Sequence, residues 1–327
     1  MAGSCPSREL FHLWVRLSIS RDARRQSERG LRLASSVLRS EATIHGAPMR
    51  IWRLRGFDLL LDRPRIMGVV NVTPDSFSDG GVYLEAGSAI ERGMQLVEEG
   101  ADLIDVGGES TRPGAAPISA ADELKRVLPV VEGLAAAGAV VSIDTSKAMV
   151  AIQAVEAGAV MINDVTALGD PNMAGAASEY GVGLALMHMQ GNPLTMQVQP
   201  AYDDVVAEVA GFLMERAAMA EAAGVPRAGI AIDPGIGFGK TVGHNLALLR
   251  DLRVLADLGY PLLVGTSRKS FLGKVTGRIG PDERDLASAV SVALAIERGA
   301  DVVRVHNVAA CKEAVLLTLA IVRGSGG

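Results

Sequence analysis

The chain has 327 residues, of which 49% are apolar and 4% aromatic, and a formal net charge of −5. That length admits one large α/β barrel or two ordinary domains, and the aliphatic excess predicts a core of Ala, Val, Leu and Ile. The acidic balance makes a poor nucleic-acid binder, no apolar run reaches membrane length, and two cysteines far apart, Cys5 and Cys311, argue against a disulfide scaffold and suit a reducing cytoplasm.

Charge is uneven along the chain. Residues 1–56 hold eleven Arg, no Lys and four acids, so this segment carries +7 and the remainder −12. The first fifty or so residues show no clear period and are rich in Arg and Ser. A transit peptide is one reading, and an upstream start codon with Met49 as the true start is another. On either, residues 1–56 are expected to be a dispensable or poorly ordered extension and residues 57–327 the working domain. A short hairpin over 51–61 is expected to close the bottom of that domain.

From residue 66 onward, short apolar runs alternate with helical patterns. The runs are 66–70, 103–106, 139–143, 160–162, 183–187, 229–232, 261–264 and 302–305. Between them, Ile90, Met94 and Val97 recur at helical spacing, as do Val205, Val209 and Phe212, and Leu286, Val290 and Ala293. Gly100, Gly158 and Gly299 each follow a helical stretch and precede a buried run, a plan suited to a left-handed residue at the helix end. Eight strands each followed by a helix predict a single (β/α)8 TIM barrel of usual size. A doubly wound open sheet would carry a glycine-rich dinucleotide fingerprint after an early strand, and the Gly235-Ile-Gly-Phe-Gly239 cluster lacks that spacing.

In such a barrel, chemistry sits where strands end. The first run delivers Asn71 into a loop of Thr, Pro, Asp, Ser and Gly that cannot continue a strand. The second gives Asp105 and then Gly107 to Gly114, the third Asp144 to Lys147, the fourth Asn163 and Asp164, the fifth His188. The sixth gives Asp233, the seventh Ser267 to Ser270, and the eighth Arg304, His306 and Asn307. A lone Asp at a strand end is more often a helix cap than a catalyst, and Asp164, Thr145 and Ser146 read well as caps. His188 reads equally well as a satisfied wall residue, and His45 and His244 as surface or loop residues. Eight polar ends on one rim nevertheless describe a site. Asp144 and Asp233 with Asn163 and Lys269 suit a flat heterocycle rich in ring nitrogens. Arg304 and His306 read as cations beside the last strand, where barrels usually bind phosphate. Ser270 is expected to open a helix whose free N–H groups suit an anion. Asn71 offers a neutral oxygen to a hard cation such as magnesium, which often shares its site with phosphates. The composite is a nitrogen heterocycle carrying a diphosphate, beside a second, anionic substrate.

With these residues in hand, the chain from about Arg65 to its end resembles the bacterial dihydropteroate synthases, a family of pterin-binding barrels. The likeness rests on Asn71-Val-Thr-Pro-Asp-Ser-Phe-Ser-Asp-Gly-Gly81, Gly108-Glu-Ser-Thr-Arg-Pro-Gly114, Ile143-Asp-Thr-Ser-Lys147, Asp233-Pro-Gly-Ile-Gly-Phe-Gly-Lys240, Ser267-Arg-Lys-Ser270 and Arg304-Val-His306. It implies condensation of dihydropterin pyrophosphate with 4-aminobenzoate in folate synthesis, a cytoplasmic homodimer, magnesium, and a target for sulfonamides. By position, it implies a pterin pocket of Asp144, Asn163, Asp233 and Lys269 with Met187 and Phe238 as walls. It assigns Asn71, Arg304 and His306 to the pyrophosphate and magnesium, and Thr111, Arg112, Pro113 and Ser270 to 4-aminobenzoate. Phe77 and Asp79 fall on a first mobile loop and Arg112 on a second, and Asp79, Arg112, Asp144 and Lys269 are the catalytic candidates. Asn307 stands where the family often has an acid. A corrinoid-dependent methyltransferase on the same barrel would share the pterin carboxylates without needing the diphosphate cations. A catalytically dead pterin binder would usually have lost one of the residues that remain here.

Overall fold

The computed structural model describes residues 50–73 and 82–323. The hairpin comes first: β1 (Ile51–Leu54) and β2 (Phe57–Leu60) pair antiparallel, with Gly56 in the turn at φ +86°. Eight strands follow, β3 (Arg65–Asn71), β4 (Leu103–Gly107), β5 (Val141–Asp144), β6 (Met161–Asp164), β7 (Gly183–Met187), β8 (Ile230–Asp233), β9 (Leu263–Val264) and β10 (Val302–Val305). The helices are α1 (Val82–Glu99), α2 (Ala120–Ala136), α3 (Ala148–Glu156), α4 (Met173–Tyr180), α5 (Val205–Ala222), α6 (Val242–Arg250), α7 (Arg253–Ala256), α8 (Ser270–Thr276), α9 (Asp285–Glu297) and α10 (Val308–Arg323). The strands are parallel in the order β8-β7-β6-β5-β4-β3-β10-β9, and a parallel bridge between Ile232 and Leu262 joins the last to the first. This is the expected (β/α)8 barrel. Among the described residues no helix is long and apolar enough to cross a membrane.

Strand alternation sorts the inward side chains into layers. The lowest layer is Met67, Leu103, Met161, Ala185, Ala231, Leu263 and Val302, which forms one apolar cluster with Trp52, Leu54 and Leu59 of the hairpin. Trp52 is fully buried and donates its indole N–H to the Gly229 carbonyl at 3.0 Å. The hairpin is therefore the barrel's floor, as expected. The boundary drawn at residue 56 falls inside it, and the compact unit starts at Arg50. The extension itself, with His45 and the start-site reading at Met49, lies outside the described residues.

The helix-ending glycines behave as the pattern requires: Gly100, Gly158 and Gly299 have φ of +114°, +119° and +101°. One helical stripe does not. Leu286 and Val290 of α9 are exposed, with Leu294 beside them, while Ser288, Ser291, Val292, Ala295 and Ile296 face inward. The periodicity places the helix correctly, but the stripe of Leu286 and Val290 lies on its outer face.

Candidate active site

Two residues above the floor, the same alternation turns polar side chains into the barrel. Asp105 sits in the middle of β4, not at its end, and is fully buried. Ser142 donates to its Oδ1 at 2.5 Å, Asn163 Nδ2 to its Oδ2 at 3.0 Å, and Arg304 Nε to the same oxygen at 2.6 Å. Arg304 Nη2 reaches across to Asp144 Oδ2 at 2.7 Å. Arg304 thus points into the interior, as its spacing from His306 predicts, but its guanidinium is forked between two carboxylates of neighbouring strands. The expectation that it stands open to an anion needs correction to that extent. The role of Asp105 as hub is what sequence reasoning missed. Its signal is present: an acid inside an apolar run, in phase with the arginine inside β10.

The amide of Asn163 must have its nitrogen on Asp105, because the reverse orientation would set oxygen against carboxylate. Its Oδ1 is then buried without a hydrogen-bond partner among the described residues. A buried orphan acceptor costs about 1–3 kcal/mol, so this atom is a place for a ligand N–H. Around the same rim, burial pushes Asp144 up to about 7 against the pull of Arg304, and raises Asp233 against Lys269. Burial also brings Lys269 down to about 8, opposed by Asp233. Lys269 Nζ lies 4.5 Å from the ring centre of Phe238 and donates to the Ile236 carbonyl. Asp144, Asn163, Asp233, Lys269, Met187 and Phe238 are therefore brought together as expected.

The Phe238 wall is held from below. Gly235, Gly237 and Gly239 all have positive φ, and a Cβ on Gly235 would lie 1.8 Å from the His188 carbonyl oxygen. Lys240 is almost fully buried and donates to the carbonyls of Gly235 and Phe238 at 3.0 and 2.9 Å. Its ammonium also meets His188 Nδ1 at 2.9 Å. Burial lowers His188 to about 3, helped by Lys240, so the imidazole is neutral and accepts. His188 is thus a satisfied wall residue, and Lys240, passed over as a motif ending, is a brace. His244 belongs to the capping box of α6.

At the anion end, the expected second cation is neutral. Burial first, then the charges of Arg304, Arg268, Arg112 and Lys269, hold His306 down to about 3. Ser267 Oγ accepts the His306 backbone N–H at 3.1 Å and lies 3.0 Å from Nδ1. His306 is therefore a neutral imidazole paired with the Ser267 hydroxyl through Nδ1. Arg268 sits at φ +60° with its guanidinium on Asp285, and Asn307 Nδ2 donates to the same carboxylate at 2.8 Å. An acid at 307 could not make that bond. Asn307 Oδ1 meanwhile accepts from Ala310 N–H at the start of α10. Ser270 does open a helix, the seven-residue α8. Asp164 is a loop cap, accepting from the N–H groups of Thr166 and Leu168, and Thr145 Oγ1 accepts from Lys147 N–H. Thr111, Arg112 and Pro113 lie on the loop after β4, with Arg112 and Pro113 exposed. Phe77 and Asp79 lie outside the described residues. Asn71 ends β3 beside Gly107 of β4.

The pterin binding enzyme family model matches residues 67–306. A dihydropteroate synthase of Neisseria meningitidis serogroup C is 46% identical over 269 residues, covering 81% of this chain and 95% of that protein. Among solved structures, the Xanthomonas albilineans dihydropteroate synthase with 4-aminobenzoic acid is 49% identical with a TM-score of 0.78, covering 82% of this chain and 97% of that one. The same enzyme in complex with 7,8-dihydropteroate is 47% identical with a TM-score of 0.75, covering 82% and 98%.

Proposed function

The chain belongs to the pterin-binding enzyme family, and we infer from its rim that it works there as a dihydropteroate synthase. It condenses 6-hydroxymethyl-7,8-dihydropterin pyrophosphate with 4-aminobenzoate to give 7,8-dihydropteroate and pyrophosphate. The observation that carries the assignment to this rim is the pair of buried residues Asp233 and Asn163 beside the half-buried Asp144, with the unpartnered Asn163 Oδ1. Asn163 Oδ1 accepts from the pterin amino or ring N–H groups, Asp233 does the same, and Lys269 donates to its carbonyl or ring nitrogen. Met187 and Phe238 cover its faces. Thr111, Arg112, Pro113 and Ser270 take the 4-aminobenzoate side.

In the reaction, the C–O bond to pyrophosphate breaks as positive charge spreads over the pterin and its methylene carbon. The carboxylates of Asp144 and Asp233 stabilise that charge without needing to move. The aromatic amine, already a free base, attacks the methylene carbon and loses a proton. Arg304 and the neutral His306 face the departing anion. Closing the loop after β4 over the rim would exclude water that otherwise competes.

Magnesium belongs to this reading. Among the described residues no three His, Cys, Asp or Glu side chains group as metal ligands. A hard cation here would be held by the neutral oxygen of Asn71 and chiefly by the diphosphate, the pattern magnesium commonly takes. When bound, it would neutralise charge on the leaving group. A homodimer is supported by the exposed apolar side chains Leu286, Val290 and Leu294 on α9 and Leu316, Leu317 and Ile321 on α10. Cytoplasmic residence rests on the sparse cysteines.

The test is pyrophosphate release from dihydropterin pyrophosphate with and without 4-aminobenzoate. Release that depends on the amine is expected; release without it, or none, overturns the reading. A chain starting at Met49 keeps the whole floor hairpin and is expected to match the full chain in turnover number and melting temperature. A loss of either would make the extension part of the working enzyme.

A further inference from the structure

The loop carrying Thr111, Arg112 and Pro113 is pinned at its root by groups the mechanism does not use. Glu109 Oε1 accepts the Ile118 backbone N–H at 2.9 Å, closing the loop on itself across nine residues. Its other oxygen, Oε2, accepts from Lys147 Nζ at 2.5 Å. Lys147 also donates at 2.7 Å to Oε2 of Glu123, a fully buried side chain on the first turn of α2. The loop backbone is wedged against that helix. A Cβ on Gly108 would lie 2.6 Å from Val127, and Arg126 Nη1 donates to the Gly108 carbonyl at 2.9 Å. On its far side, Gly114 N–H donates to the Pro193 carbonyl at 2.9 Å.

Lys147 is three residues beyond Asp144 on the chain leaving β5. The ammonium therefore joins two elements that serve different substrates: the strand bearing a pterin carboxylate and the loop bearing the 4-aminobenzoate candidates. We propose that Lys147 and Glu109 form a positioning tether that sets the 4-aminobenzoate loop against the pterin pocket. Neither is a catalytic residue; each acts through the loop it holds. The proposal rests on the dihydropteroate synthase reading for the identity of the loop's substrate.

Deleting Lys147 would strand Glu123, which is buried and whose Oε1 already has no partner among the described residues. Glu109→Gln is the cleaner test. Its single amide oxygen keeps the Ile118 bond while its NH2 faces the ammonium, so only the tether is lost. A hydrogen bond to a charged group at such a site corresponds to a rise of about tenfold in the KM for 4-aminobenzoate, with kcat and the KM for dihydropterin pyrophosphate within about twofold of wild type. Lys147→Arg keeps both ion pairs and is expected to stay near wild type. Amide hydrogen exchange over residues 110–117 should quicken in Glu109→Gln and not in Lys147→Arg. An unchanged 4-aminobenzoate KM in a folded Glu109→Gln enzyme overturns the tether, as does an equal rise in both KM values. If the wild-type chain shows no amine-dependent pyrophosphate release, the functional reading fails instead. Exchange then still decides whether the tether holds the loop, and unaltered exchange overturns it.

Discussion

Arg304→Met is expected to destabilise the barrel by about 3–5 kcal/mol, the cost of breaking a buried ion pair by removing one partner. Two carboxylates depend on this side chain, Asp105 at 2.6 Å and Asp144 at 2.7 Å, and Asp105 is fully buried. The pH dependence has a defined sign. Burial already raises Asp144 to about 7 with the guanidinium in place, and Arg304 is the largest influence holding it down. Without Arg304 its folded value lies higher still, above the ordinary carboxylate value of about 4 in the unfolded chain. A raised carboxyl penalises folding most above its folded pKa and not at all below its unfolded one. The Asp144 penalty of wild type is complete at about 7, so the deficit relative to wild type should be nearly constant below about 7 and grow as pH rises above it. Turnover should fall by about a hundredfold to a thousandfold, as when one preorganised electrostatic partner is removed elsewhere.

Arg304→Lys separates the two roles this residue combines. An ammonium keeps the charge and loses the fork, so it cannot hold both carboxylates and an anion. Weaker pyrophosphate binding and slower turnover are expected, with 4-aminobenzoate affinity in a preformed pterin–pyrophosphate complex little changed. Calorimetric titration with pyrophosphate is the deciding measurement. Intact pyrophosphate binding with a weakened fold would make Arg304 a barrel residue alone, and the diphosphate site would have to be sought around Lys269 and Arg112.

The barrel is legible in the sequence because its strands are buried on both faces. Short, mainly apolar runs such as 183–187 and 302–305 match β7 and β10 residue for residue, and polar residues can only appear where a run meets the rim or a partner inside it. That is why Asp144, Asn163 and Asp233 can be read as one group. The state of each group is not legible in the same way. His306 looks like a cation in sequence, yet burial among four positive neighbours makes it neutral. Arg304 looks free for a ligand, yet Asp105 and Asp144 hold it. That pairing depends on which strands are neighbours: β10 and β4 both flank β3, so an acid on one reaches a guanidinium on the other. No local pattern in either run states it. The α9 stripe fails for a related reason. Periodicity tells which side chains share a face, not which face another copy or solvent covers.

Asp233→Asn is expected to weaken binding of dihydropterin pyrophosphate by about 1.5–3 kcal/mol, the range for hydrogen bonds to charged groups. Asp233 Oδ1 accepts the Gly235 N–H at 2.7 Å, which sets the first positive-φ turn of the Phe238 wall. An asparagine can keep that bond with its single oxygen, and its NH2 then occupies the place of Oδ2. There it meets donors, the pterin N–H groups and the Lys269 ammonium, instead of serving them. The substitution also removes the largest influence that keeps Lys269 charged, and burial has already brought Lys269 down to about 8. Its proton should be lost at lower pH in the variant, so the alkaline decline of turnover should begin earlier than in wild type. On stability the two partners oppose each other: burial makes the Asp233 charge a cost that the neutral isostere removes, while the buried Lys269 charge loses its partner, so the melting temperature should change little. Calorimetry with dihydropterin pyrophosphate in the absence of 4-aminobenzoate, run beside thermal unfolding, measures both. Unchanged affinity would remove Asp233 from the pocket, and a lower melting temperature with unchanged affinity would reduce it to the cap of the Gly235 turn.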